Sequence, residues 1–84
     1  MKAIKYFTAP WCGPCQHFGP IMDELQFEGI NIQKINIDNQ QSIAMDYNVK
    51  SIPTCIVVDS SGKELDRIVG AYPKETIKEL FKNA

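Results

Sequence analysis

The chain has 84 residues, of which 44% are hydrophobic and 23% are charged, and its formal net charge at pH 7 is −1. This length predicts a single domain over residues 1–84, with an adequate but thin core. The balanced charge argues against a nucleic acid or an anionic membrane as partner, because both bind basic surfaces, and no apolar run is long enough to span a bilayer.

The first half of the chain predicts a strand, a helix and a second strand. The segment Lys2–Thr8 is short and rich in β-branched and aromatic residues, which is typical of a strand. From Gly13 to about Glu28 the apolar residues recur at helical spacing, and Pro14 suits the first helical turn. The segment Ile30–Asp38 has apolar residues on both faces, which predicts an interior strand covered on both sides. The two strands should be parallel and joined by a right-handed crossover.

The second half predicts a short helix, a hairpin and a last helix. Asp38 or Asn39 can cap the short helix, which should end near residue 48. The segment Thr54–Val58 is a compact apolar strand, and Lys63–Gly70 is a fourth strand after a DSSG turn, so these two should form an antiparallel hairpin. Pro73 opens the last helix. The predicted fold is α/β, in the order βαβ-α-ββ-α, with a four-stranded mixed sheet flanked by three helices.

Two of the three cysteines stand where the first strand passes into the helix. Only Gly13 and Pro14 separate Cys12 from Cys15. At a helix N-terminus, unpaired N–H groups and the positive end of the dipole favour a thiolate, which is the nucleophile in disulfide exchange. Cys15 lies one turn further in and should be less exposed. The pattern predicts an asymmetric redox couple, in which Cys12 attacks and Cys15 resolves.

Two other interpretations of this pair are weaker. A structural metal site needs four ligands, so Cys55 and His17 would have to complete it, but His17 lies about 200° around the helix from Cys15. A structural staple closing so short a loop restricts little unfolded-state entropy. An odd number of cysteines and no secretion signal predict a cytoplasmic protein with reduced thiols. The sequence has no Gly-rich dinucleotide loop and no convincing set of metal ligands, so we expect no cofactor and no metal.

Three separated motifs resemble the thioredoxin family over nearly the whole chain. They are "APWCGPC" followed by Pro20, "SIPT" at Ser51–Thr54, and "VGA" at Val69–Ala71. The resemblance implies a thioredoxin-like fold and an enzyme that reduces disulfides in other proteins. It also implies that an NADPH-dependent thioredoxin reductase recharges the oxidised form.

The residues around the pair have expected roles in binding. Trp11 combines an apolar body with a polar tip and stands beside the nucleophile, so it should shape the contact surface. The resemblance implies that Gly13 and Pro14 tune the couple toward reduction. Cys55 should be an inert core thiol and His17 a solvated histidine.

Two later motifs are implied by the resemblance to complete the binding surface. Ile52-Pro53 is the family's cis-proline position, which would bring Ile52 beside Cys12 and leave backbone groups free for an extended substrate segment. Gly70 and Ala71 would form a third wall, where the lack of bulk lets the partner approach. The expected substrate is an exposed protein disulfide.

The chain departs from the family pattern at Tyr6, where most thioredoxins have a buried aspartate that handles the proton of the second cysteine. Lys34 matches the family's partner lysine, and its strand parity with Ile32 predicts that it faces inward. We hypothesise that Lys34, or a water near Tyr6, handles the proton of Cys15, because burial makes a lysine a better base. The alternative is a Lys34 that extends into solvent.

The sequence is compatible with two competing functions. The compact length and the missing aspartate keep a glutaredoxin-like reductase, recharged by glutathione, as one alternative. A non-enzymatic module that binds a partner through the face formed by Trp11, Ile52 and Gly70 is the other. In each case we expect a monomer.

Overall fold

Seven helices and strands follow one another in the predicted order. The computed structural model describes residues 1–84. The elements are β1 (Ala3–Thr8), α1 (Gly13–Phe27), β2 (Ile32–Asn36), α2 (Gln41–Asp46), β3 (Thr54–Val58), β4 (Glu64–Val69) and α3 (Lys74–Asn83). The α/β class and the order βαβ-α-ββ-α are therefore confirmed. None of the three helices has the length and hydrophobicity that crossing a bilayer requires.

The four strands form one mixed sheet in the order β2-β1-β3-β4. Strands β1 and β2 are parallel, while β1–β3 and β3–β4 are antiparallel, as the crossover and the hairpin predict. The expectation that β2 is an interior strand is wrong, because it forms one edge of the sheet. Ile32 and Ile35 are buried in clusters on opposite faces, but coverage of both faces does not require a strand on both sides.

The core lies on both faces of the sheet. Helices α1 and α3 cover one face, where the buried residues are Ile4, Tyr6, Phe18, Met22, Leu25, Ile32, Cys55, Val57 and Ile77. The face toward α2 buries Ala3, Phe7, Ile35, Ala44, Ile56 and Val58. Strands β1 and β3 contribute to both clusters through alternating residues, because successive side chains of a strand point to opposite faces.

Tyr6 and Lys34 are opposite each other in the β1–β2 register. Tyr6 is only 2% exposed and meets the ring of Phe18 edge to face, with ring centroids 5.6 Å apart. Lys34 is on the same face of the sheet, as its parity predicts, but it is exposed. The expectation of a buried Lys34 is therefore wrong. Its position on an edge strand explains the difference, because nothing beyond β2 in the sheet covers it.

The loops differ from the predictions in small ways. Neither Asp38 nor Asn39 caps α2; its N-cap is Gln40, which makes no side-chain cap hydrogen bond. Pro73 is the N-cap of α3, one residue before the helix begins. The Ile52-Pro53 peptide bond is cis, as the resemblance implies.

Replacing Tyr6 by Asp should lower the free energy of unfolding at pH 7 by roughly 3–5 kcal/mol, because it removes a buried ring and buries a carboxylate. Tyr6→Asn is the uncharged control of similar size. Burial should raise the folded-state pKa of the new carboxyl above its unfolded value of about 3.9. Below that pH the Asp variant should therefore have the same free energy of unfolding as the Asn variant. As pH rises, the free energy of unfolding of the Asp variant should fall increasingly below that of the Asn variant. Equal stability of the two variants at pH 7, measured by urea unfolding, would contradict a buried position 6.

Cys55 predicts a second effect of pH. Burial raises the pKa of its thiol from 9.0 to about 12. The raised folded-state pKa means that the stabilising contribution is complete below pH 9 and is lost as pH rises toward 12. In that window Cys55 should lower the free energy of unfolding by up to about 1.4 kcal/mol per pH unit.

The control for this effect is Cys55→Ala, studied with the Cys12–Cys15 disulfide intact. The variant should show a shallower loss of stability with pH than the parent, whatever its stability at neutral pH. A residual slope is expected, because burial also raises the pKa of Tyr6. Identical slopes in parent and variant would show that Cys55 does not titrate differently in the folded and unfolded states.

Candidate active site

The cysteine pair stands at the start of α1, where strand β1 has just ended. Cys12 and Cys15 are joined by a disulfide, with their Cα atoms 5.2 Å apart. Cys12 is the N-cap residue of α1, with extended backbone angles, and its Sγ accepts a hydrogen bond of 3.2 Å from the backbone N–H of Cys15. The sulfur thus takes the place of the oxygen that usually caps a helix. Negative charge is favoured at this position by the N–H groups and by the helix dipole.

The two cysteine residues are almost equally buried in this disulfide form. Cys12 is 5% exposed and Cys15 is 4% exposed. The expectation that Cys15 is clearly less exposed than Cys12 is therefore not confirmed in this form. Apolar neighbours explain the burial, because Ala9, Ile37 and Ile52 pack against the pair.

What distinguishes the two cysteines is the surface that each one borders. The Sγ of Cys12 lies 3.9 Å from the carbonyl oxygen of Ile52, next to the cis-proline. Cys15 instead lines a groove between α1 and the β2 edge of the sheet. The site therefore has two sides, although the two cysteines differ little in exposure. We call the surface beside Cys12 and the cis-proline loop the front side, and the groove that Cys15 lines the back side.

Trp11 forms part of the front side. It is 65% exposed, and its Nε1 donates hydrogen bonds of 3.0 and 3.2 Å to the two carboxylate oxygens of Asp38. Asp38 thus holds the indole in place, a role that the sequence analysis missed because it assigned Asp38 to a helix cap. The βαβ order could have indicated this pairing. The carboxyl ends of two adjacent parallel strands meet at one end of the sheet, so the residues that follow them lie close together. Gly13 and Pro14, which follow Cys12, are also exposed.

The cis-proline loop forms the neighbouring part of the front side. Pro53 is buried and Ile52 is half-buried. Trp11 and this loop line the same cavity, which has a volume of about 330 Å³. Its lining residues are Trp11, Ile37, Val49, Lys50, Ser51 and Ile52. The structure therefore brings Trp11, Cys12 and Ile52 together, as expected.

Gly70 lies beside the same loop. Its backbone N–H donates a 2.8 Å hydrogen bond to the carbonyl oxygen of Pro53. Its φ of 110° is in the region that favours glycine, and a Cβ there would lie 3.4 Å from the ring of Tyr72. Ala71 follows it and is exposed. The VGA motif is thus hydrogen-bonded to the cis-proline, and glycine suits the backbone conformation at position 70 better than any other residue.

The back side is the groove that Cys15 lines. It has a volume of about 570 Å³, and Tyr6, Asp23 and Lys34 are its other titratable residues. Burial is the main cause that raises the pKa of Tyr6, and the nearby charge of Asp23 adds to it. The phenol therefore stays protonated at neutral pH.

The remaining candidates do not join the site. Cys55 belongs to the core between the sheet and α1, whereas His17 is exposed on the outer surface of α1. The four ligands that the metal interpretation needs are therefore not brought together. Cys55 is fully buried, in agreement with its expected role as an inert core thiol.

Comparison with known proteins gives a consistent result. A family model described as Thioredoxin matches residues 2–83. The chain is 42% identical to thioredoxin 1 of a Nostoc species over 78 residues, which are 89% of this chain and 72% of the relative. It is also 42% identical to a thioredoxin of Pyropia yezoensis, with 92% of this chain and 74% of the relative covered. Among solved structures, a mutant thioredoxin from Halobacterium salinarum is similar, with a TM-score of 0.87, 30% identity, and coverage of 98% of this chain and 73% of that one.

Proposed function

Because the chain belongs to the thioredoxin family and is a protein thiol–disulfide oxidoreductase, we propose that it works in the reducing direction and is recharged by an NADPH-dependent thioredoxin reductase. Its substrates are disulfides in other proteins. The observation that supports the proposal best is the position of the Cys12 sulfur as N-cap of α1, where a backbone N–H already donates to it. A reduced Cys12 at that position is favoured as the thiolate, the form that attacks disulfides.

The proposed reaction has two exchange steps. The Cys12 thiolate attacks one sulfur of the substrate disulfide, forming a mixed disulfide and releasing the other substrate sulfur as a thiolate. Cys15 then loses its proton and attacks the Cys12 sulfur, which forms the Cys12–Cys15 bond and releases the second substrate sulfur. Two electrons pass from the cysteine pair to the substrate, and the reductase returns two electrons in the next cycle.

We assign substrate binding to the front side of the site. An extended segment of the substrate would lie across Trp11, Ile52 and Gly70, with apolar contact to the first two. The Ile52-Pro53 loop supplies backbone groups for strand-like pairing next to the attacking sulfur. Gly13, Pro14 and Ala71 complete this surface, because they are exposed beside it and present little bulk.

We also propose that residues 1–84 act as one domain, as a monomer, in the cytoplasm. One sheet shared by both core clusters supports the single domain. The odd number of cysteines supports a reducing compartment, where thiols such as Cys55 persist unpaired.

Lys34 retains a proposed catalytic role, but a different one from that of a buried base. It is exposed and lines the groove behind Cys15. A positive charge there favours the thiolate of Cys15 over the thiol and so promotes the second exchange step.

Replacing Cys12 by Ser should reduce insulin reduction by dithiothreitol to the uncatalysed rate, because no nucleophile remains at the N-cap. Cys15→Ser should also be inactive in turnover but should accumulate a mixed disulfide with the substrate, visible by mass spectrometry of acid-quenched samples. Cys55→Ser is the matched control and should retain activity. Full activity of the Cys12 variant would dismiss both enzyme interpretations and favour a binding module.

The source of electrons is tested with the unmodified chain. We expect turnover with NADPH and thioredoxin reductase and little turnover with glutathione and glutathione reductase. The opposite result would favour the glutaredoxin-like alternative, for which the compact length of the chain is the main support.

Lys34→Met should slow disulfide reduction near neutral pH by about two- to threefold, the size of the effect of one charge across a solvated groove. Lys34→Arg keeps the charge and should behave as the parent. The difference in reduction rate between the Met variant and the parent should narrow as pH rises, because the Cys15 thiol then ionises without a nearby positive charge. A Met variant that reduces disulfides as fast as the parent at every pH from 6 to 9 would remove Lys34 from the mechanism.

A further inference from the structure

Tyr72 is an exposed aromatic residue that the proposed exchange steps do not use. It stands in the loop between β4 and α3, directly after the VGA motif, and it is 39% exposed. Its ring belongs to none of the three buried apolar clusters. The core therefore does not explain why a large aromatic side chain stands at this position.

The chain on both sides of Tyr72 fixes where its ring lies. A Cβ placed on Gly70 would be 3.4 Å from the Cε2 atom of Tyr72, so the ring packs beside Gly70. Pro73 restricts the backbone of Tyr72 to extended conformations, and its carbonyl oxygen accepts hydrogen bonds from the N–H groups of Thr76 and Ile77. A partner that binds this ring therefore loses little free energy in ordering the loop.

Gly70 connects Tyr72 to the front side of the active site. The backbone N–H of Gly70 donates a 2.8 Å hydrogen bond to the carbonyl oxygen of Pro53, which belongs to the loop beside the Cys12 sulfur. Trp11 follows β1 and Tyr72 follows β4. Because β3 lies between β1 and β4 in the sheet, the cis-proline loop that precedes β3 lies between the two aromatic residues. Tyr72 thus extends the front side beyond Gly70.

The surface around Tyr72 is apolar and uncharged. Seven large apolar side chains of the chain are exposed, and three of them lie in or next to this surface: Trp11, Val69 and Tyr72. Residues 68–73 carry no charge, and Lys74, the first charged residue after them, forms a salt bridge with Glu28 of α1. Grouped exposed apolar residues are typical of a binding surface, and the lack of charge favours an apolar partner group.

We propose that Tyr72 determines substrate specificity by binding a large apolar side chain of the polypeptide whose disulfide lies at Cys12. Trp11 contacts the substrate segment on one side of its cysteine, and Tyr72 contacts the segment on the other side. A small disulfide has no side chain to place on the ring and gains nothing from it. This inference rests on the proposed function, because it concerns the choice of substrate at the same site.

The test measures how fast the prereduced chain reacts with two kinds of disulfide when no reductase is present. One kind is a set of peptides with a single cysteine linked by a disulfide to free cysteine, and with Phe or Ala at each neighbouring position in turn. The other kind is bis(2-hydroxyethyl) disulfide. Second-order rate constants are obtained from acid-quenched samples, in which mass spectrometry distinguishes the reduced chain from the oxidised chain.

The parent should react about tenfold faster with Phe than with Ala at one peptide position, which corresponds to about 1.4 kcal/mol. Tyr72→Ala should lose this preference but react with bis(2-hydroxyethyl) disulfide as fast as the parent. Tyr72→Phe keeps the ring and should keep the preference. Phe27→Ala is the matched control for loss of an exposed ring and should behave as the parent, because Phe27 is 93% exposed and lies about 20 Å along α1 from its start.

An equal preference for Phe in the parent and in Tyr72→Ala would overturn the inference, and so would a parent without any preference. Slower reaction of Tyr72→Ala with the small disulfide would also overturn it, because Tyr72 would then support the structure of the site. Circular dichroism and thermal unfolding confirm that both Tyr72 variants are folded. A parent that reacts with neither kind of disulfide would contradict the proposed function itself and this inference with it, which distinguishes the two failures.

Discussion

The hydrogen bond from the backbone N–H of Cys15 to the sulfur of Cys12 is the constraint on which the site depends. It exists because β1 ends just before the pair and α1 begins just after Cys12, so that a sulfur stands where a helix needs an acceptor. Pro14 fits between them because the first turn does not need its missing N–H. The helix therefore stabilises the charge that the chemistry requires, and it holds the second cysteine one turn away from the first.

The functional difference between the two cysteines comes from their surroundings. Cys12 borders the cis-proline loop and the indole that Asp38 fixes, a surface suited to a polypeptide. Cys15 borders a groove beside an edge strand, and the charged residues that line this groove are Asp23 and Lys34. Position 6 contributes to this division, because a buried tyrosine there fills the core under the groove without supplying a carboxylate. The front side thus offers a surface for a polypeptide, whereas the back side brings Lys34 to the groove that Cys15 lines.

Most of the fold follows from local patterns in the sequence. The periodicity of apolar residues locates the helices and strands, and the position of CGPC between β1 and α1 locates the nucleophile. The place of β2 in the sheet could not be predicted, because its apolar residues report coverage by α1 and α2 but not hydrogen bonding to a second strand. The exposure of Lys34 follows from that edge position and was missed for the same reason. The Trp11–Asp38 pair and the groove depend on how loops meet in space, which strand and helix periodicity does not encode.

The central claim is that the helix start makes Cys12 the reactive thiol. It is tested most directly by reducing the unmodified chain, alkylating it with iodoacetamide over a range of pH, and identifying the modified residue by peptide mass spectrometry. The account predicts that Cys12 is modified first, and that its rate is half-maximal below pH about 8.5, where a free cysteine ionises. Modification of Cys15 before Cys12, or a Cys12 rate with the pH dependence of a free cysteine, would contradict it.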